Sequence, residues 1–143
     1  MKSRIALLIG VALLVAAPVA LALTGSAKYS GKTSDDRAVA LRLNSDATHI
    51  KRFHIRYTVD CDDDVERPAT YTDVLNAKIR SDNTFRASGE YTGSGDKSIN
   101  KFKLTGVVYK RKAHGTFSLK AASADDSIHC TTGKLTWKAT KTG

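Results

Sequence analysis

Two cysteines, Cys61 and Cys130, are the residues of this chain with the most specific chemistry. Each stands at inward parity in an alternating stretch. Cys61 follows Phe53, Ile55, Tyr57 and Val59 at steps of two, and Cys130 follows Ile128. In an oxidising compartment such a pair forms one disulfide between two distant strands. Closing a loop of about 70 residues is worth roughly 4 kcal/mol in the chain-entropy account. The competing reading is a pair of free or metal-binding thiols.

Carboxylates crowd beside the first cysteine. Asp60, Asp62, Asp63, Asp64 and Glu66 lie where an alternating strand ends. Asp60, Asp62 and Asp64 alternate as in the opening of a calcium loop, because a hard cation wants several oxygens converging from a tight turn. The match then fails: Val65 stands where that loop needs glycine, and Tyr71 where it needs a bidentate glutamate. A solvated acidic loop is the expectation, with Asp60, Asp62 and Asp64 the residues to hold calcium if one binds. No other metal or cofactor is indicated.

The sequence carries no recognisable catalytic constellation. His49 and His54 have opposite strand parity and His129 points opposite to Cys130, so neither makes a local metal-ligand step; His114 stands beside a glycine. There is no G-x-S-x-G elbow, H-E-x-x-H pair or phosphate loop. Glu66 and Glu90 are the carboxylates available for a glycosidase pair, which spacing alone does not support. The expectation is a protein that is not an enzyme.

Positive charge is the other candidate signal. The formal net charge is +9. Arg42, Arg56, Lys101, Lys103, Lys120, Lys134 and Lys138 all occupy outward parity positions, and on one sheet they would make a basic plate. Such a plate attracts an anionic envelope polymer or a lipid surface. Lysines on outer faces also keep a sheet soluble and block edge pairing, which needs no ligand. No aromatic residues interleave with these cations, so no nucleic-acid partner is expected.

The elements that must position these residues are strands. Met1–Arg4 carry two cations, Ile5–Val19 carry no charge, and Ala20-Leu21-Ala22 offers small residues at a signal-peptidase site. Residues 1–22 therefore read as a signal peptide, with a second possible cut after Ala27, and residues 28–143 as a single β-domain. No second apolar segment follows, so no transmembrane segment is expected once the signal is cleaved. Val39–Leu43, Phe53–Cys61, Phe102–Val108, Phe117–Ala121 and Leu135–Ala139 all alternate with period two. Turn residues fall between them at Ser81–Thr84, Thr92–Asp96, Lys112–Gly115 and Ser123–Ser127. Only Tyr71–Lys78 admits a helical reading. The pattern predicts an all-β antiparallel sandwich of about 7–9 strands, or alternatively a closed barrel, with one disulfide. Trp137 follows both cysteines instead of standing between them, which disfavours an immunoglobulin domain.

The order Tyr29-Ser30-Gly31-Lys32-Thr33, a strand ending in Cys61, the step His114-Gly115-Thr116-Phe117, and Cys130-Thr131-Thr132-Gly133 leading to Trp137 resembles a group of small exported β-domain proteins of high-GC Gram-positive bacteria. The shared signature is Y-x-G-x-T at the start and C-x-T-G-x-x-x-W at the end. The resemblance implies export and a β-fold, and it carries over no catalytic or binding residue. Together these readings lead to the expectation of a secreted or cell-wall-associated module that binds an anionic envelope component or another extracellular protein. The alternatives are a structural surface protein without a specific ligand and an unrecognised hydrolase.

Overall fold

The computed structural model describes Leu23, residues 25–93 and residues 97–143. The expected signal peptide, residues 1–22, lies outside the described residues, as do residues 94–96 of the loop read from Thr92 to Asp96.

The described residues form ten strands in chain order: β1 (Lys28–Thr33), β2 (Ala38–Leu43), β3 (His49–Cys61), β4 (Glu66–Asp73), β5 (Ala77–Lys78), β6 (Thr84–Thr92), β7 (Ser98–Val108), β8 (Lys112–Ser123), β9 (His129–Thr131) and β10 (Leu135–Lys141). Every pairing is antiparallel. The path β10-β1-β2-β3-β9-β8 returns to β10, so six strands form a closed barrel. Of the two architectures expected, the closed barrel is the one found.

The register shows how the ring closes. Phe53 pairs with both Leu41 and Asp73, and Asp60 with both Glu66 and Thr131. β4 therefore takes one edge of β3, while β2 and β9 lie end to end along the other. β8 repeats the arrangement, with β7 along one edge and β10 then β9 along the other. The short β9 is the clasp, and Cys61 and Cys130 are joined across it by a disulfide.

Beyond the ring, β4 and β5 extend β3, while β7 and β6 extend β8. β6 and β4/β5 do not pair. Their seam is tied at its apex by the Arg80 N–H donating to the Thr84 carbonyl at 2.8 Å, and it is lined further along by the Tyr71 and Tyr91 rings, 5.5 Å apart.

Inward residues build one core. Phe85, Trp137, Phe53 and Phe117 touch in sequence as a column of rings that branches at Phe117 to Tyr57 and to Tyr71, which rests on Phe102, with centroids 4.6–6.5 Å apart. Offset and edge contacts of this kind add to the area that the rings bury. Two glycines allow the wall to curve around them. A Cβ at Gly31 would fall on the Lys138 carbonyl oxygen and one at Gly115 on that of Thr105, so only glycine permits these close strand approaches.

Two local expectations are corrected, and the place of Trp137 is fixed. Tyr71–Lys78 is not helical; it is the end of β4, a short irregular step and β5, where pairing to β3 overrides a weak helical spacing. Lys112–Gly115 is not a turn, because the chain reverses at Tyr109–Lys112, where the Tyr109 N–H donates to the Lys112 carbonyl, and Gly115 lies inside β8. Trp137 does not pack on the disulfide. It pairs with Gly115, six residues along β8 from Ala121 beside Cys130, which is roughly 20 Å at strand rise.

Candidate functional site: cation rows on the barrel wall

All seven cations singled out in the sequence are exposed, as their parity requires. Curvature distributes them around the wall. Arg42 lies on β2 and Arg56 on β3, Lys138 lies on β10 with Lys134 just before it, and Lys101, Lys103 and Lys120 lie on β7 and β8. They do not form one plate.

The densest positive group is a row only partly visible in the sequence. Lys28 pairs with Arg42, and Arg42 with Arg52, so three cations stand side by side on β1, β2 and β3. Adjacent strands lie about 4.8 Å apart. A register shift at Arg42/Leu43 makes Arg42 pair with Arg52 and Leu43 with Ile50, and this bulge leaves Lys51 and Arg52 both exposed. Lys28, Arg42 and Arg52 have no ion-pair partner among the described residues. Like charges directly opposite in a sheet repel, so the row costs the fold stability instead of contributing it.

Further cations gather at the same end. The Lys141 N–H donates to the Arg111 carbonyl at 2.8 Å, and the Lys28 N–H to the Gly143 carbonyl at 2.7 Å, so the Lys110–Lys112 turn lies beside the start of β1. Along the wall, Lys138 pairs with Lys32, whose ammonium meets Asp36 at 2.6 Å. Arg56 lies two residues beyond His54 on the same exposed face of β3.

The opposite end is acidic. β3 carries Lys51 and Arg52 near its start, and Asp60 near its end, where the Asp62–Asp64 turn follows. The three calcium candidates do not converge. Asp60 stands on the outer face, the Asp62 carboxylate turns to His129, and Asp64 adopts φ 59° to close the turn with its N–H on the Cys61 carbonyl. Between them, Asp63 is held by the Arg67 guanidinium through two bonds, which keeps its carboxyl below the usual range. Among the described residues no cluster of three acids, histidines or cysteines can hold a metal.

The histidines stay separate. His49 meets Thr48, His54 meets Thr72, His114 lies against the Tyr109 ring, and His129 lies between Asp62 and Asp126. Glu66 and Glu90 stand at the two ends of one lateral row, Glu66–Asp60–Thr131–Lys120–Lys101–Glu90, with four strands between them. Burial pushes the Tyr57 and Tyr71 hydroxyls up, so both stay protonated as hydrogen-bonding groups.

Two concavities accompany the rows. The seam holds a groove of about 420 Å³ between Asp73–Ala77 and Arg86–Tyr91, floored by Phe102. An open depression of about 450 Å³ lies over β7, β8 and β9. Among the described residues no helix is long and apolar enough to cross a membrane. No protein-family description and no curated protein sequence matches this chain.

Proposed function

We propose that this chain is an exported, non-catalytic β-barrel module that holds an anionic polymer of the cell envelope along the Lys28–Arg42–Arg52 row. The observation carrying this reading is that row: three cations at strand spacing with no ion-pair partner among the described residues, flanked by the cationic Lys110–Lys112 turn and Lys141, at the end of β3 opposite the Asp60–Glu66 acids. Cations at this spacing face successive charges of a polyanion, and release of its counterions drives association. Retention on purified cell envelope tests the reading. It is expected at low salt and lost at high salt; retention indifferent to salt would count against it.

The seam favours a second reading, in which the partner is another extracellular protein. Among the described residues β6 pairs only with β7 and β4 only with β3, so there both strands present free edges to an extended segment. Added-strand binding would appear as new amide-exchange protection in β4 and β6 on mixing with envelope proteins, and unchanged exchange would exclude it.

A further inference from the structure

Across β7, β8 and β9 the register fixes a small grid on the outer face. Ile99, Ala122 and His129 form one row, and Lys101, Lys120 and Thr131 the next. Asp126 closes the lip of a depression of about 450 Å³, within the size range of small-molecule sites. Its floor is apolar. Ile99 is 44% exposed and Ala122 is half-buried beside it, while Ala121 and Cys130, in the intervening row of opposite parity, pack against the core.

The charges around this floor are unevenly used. His129 engages both nearby carboxylates, with Nδ1 3.3 Å from Asp62 and Nε2 2.9 Å from Asp126. Glu90 meets Lys101 at 3.5 Å from the β6 side, away from Lys120. Lys120 has no ion-pair partner among the described residues, and it stands directly opposite Lys101. Two ammonium groups so placed repel, and an anion between them removes the repulsion.

We propose that this depression is a binding site for a single-tailed anionic amphiphile. The alkyl chain lies on Ile99 and Ala122, and the carboxylate or phosphate head lies between Lys101 and Lys120. The site is independent of the polymer-binding row, which lies on β1–β3. Neither half of the ligand suffices alone. A bare anion at this exposed rim is screened by salt, whereas each buried methylene multiplies affinity about fourfold.

The test is titration of the mature protein, below micellar concentrations, with decanoate, monodecyl phosphate, the neutral decyl maltoside and acetate, followed by calorimetry and by methyl NMR of isoleucine and alanine. Decanoate or monodecyl phosphate is expected to bind and to shift Ile99 and Ala122; comparison of the two identifies the preferred head. Decyl maltoside and acetate are expected to bind at least tenfold more weakly. Lys120→Gln and Ile99→Ser should each weaken binding about tenfold, while Lys134→Gln leaves it unchanged. Trp137 emission reports whether each variant is folded, and the four-ligand comparison on the unaltered protein decides the question even if a variant is not. Equal binding of decyl maltoside, shifts confined to other parts of the barrel, full affinity in a folded Lys120→Gln variant, or no binding of either anionic amphiphile would overturn the proposal.

Discussion

Cys61 and Cys130 stand directly opposite each other where β9 joins β3, with their Cα atoms 4.0 Å apart. β9 has only three residues, and it is what links β3 to β8 at this end of the molecule. The disulfide therefore locks the clasp of the barrel. Its sequence separation of 69 makes it a long-range crosslink. Replacing both cysteines with alanine should cost about 4 kcal/mol, measured by denaturant unfolding against the oxidised protein. Amide exchange should rise first in β9. Equal stability of the two forms would show that the clasp holds without the bridge.

The same clasp carries a pH-dependent contact. His129 bridges Asp126 and Asp62, and its imidazole is held above the ordinary value of 6.5 chiefly by the Asp126 hydrogen bond and then by Asp62. A group whose value is raised on folding contributes stability in full below its unfolded value, and the contribution is lost as pH rises through the folded value. Thermal stability should accordingly fall as pH rises from just below 6.5 through the raised value. His129→Asn should flatten this part of the profile. A variant profile parallel to that of the unaltered protein would assign the slope to other groups.

Gly31 and Gly115 set the curvature of the wall. A methyl at either position meets a neighbouring backbone carbonyl, which cannot rotate away as a side chain could. Gly31→Ala and Gly115→Ala should each destabilise by about 3 kcal/mol, at the upper end of overpacking costs, as read from urea unfolding. Gly133, at φ 62° with open space around its Cβ, should show only the smaller cost of a left-handed conformation, about 1 kcal/mol on replacement by alanine.

On the proposed reading of an exported module, Ala27 bears on where a signal peptide would be cleaved. It is 5% exposed, and its carbonyl accepts the Leu43 N–H at 2.9 Å, so removing it strips a buried methyl and a bond from the end of β2. The mature chain is expected to start at Leu23, not Lys28. Intact mass measurement of the secreted protein distinguishes the two.

Much of the fold is legible in the sequence because it rests on period-two burial. Val39–Leu43, Phe53–Cys61, Phe102–Val108, Phe117–Leu119 and Leu135–Ala139 bury the residues that their parity selects. The disulfide follows from the same parity. β4 was hidden because Glu66–Asp73 buries only Tyr71 fully and is held by pairing to β3 rather than by an apolar face. β9 is too short to show a period. Closure depends on pairings between distant strands, which leave no local trace.

The cation row was half legible. Arg42 is found by parity, and Arg52 shares the outward parity of His54 and Arg56, but Lys51 before it stands out of phase, because the bulge adds a residue on β3 and turns both Lys51 and Arg52 outward. The doubled polar pair ahead of an alternating run was the available signal. Lys28 joins the row only through the β1–β2 register. Curvature, which parity does not encode, distributed the other expected cations around the wall.

Binding of the mature protein to long-chain inorganic polyphosphate, titrated across salt concentrations with and without Arg42→Gln and Arg52→Gln together, tests the central claim most directly. Both side chains are exposed, so the double variant should fold. The account predicts that the unaltered protein binds with affinity falling steeply as salt rises, and that the double variant binds at least tenfold more weakly at low salt with a logarithmic salt slope shallower by roughly two. Unchanged affinity and slope in the double variant would contradict it.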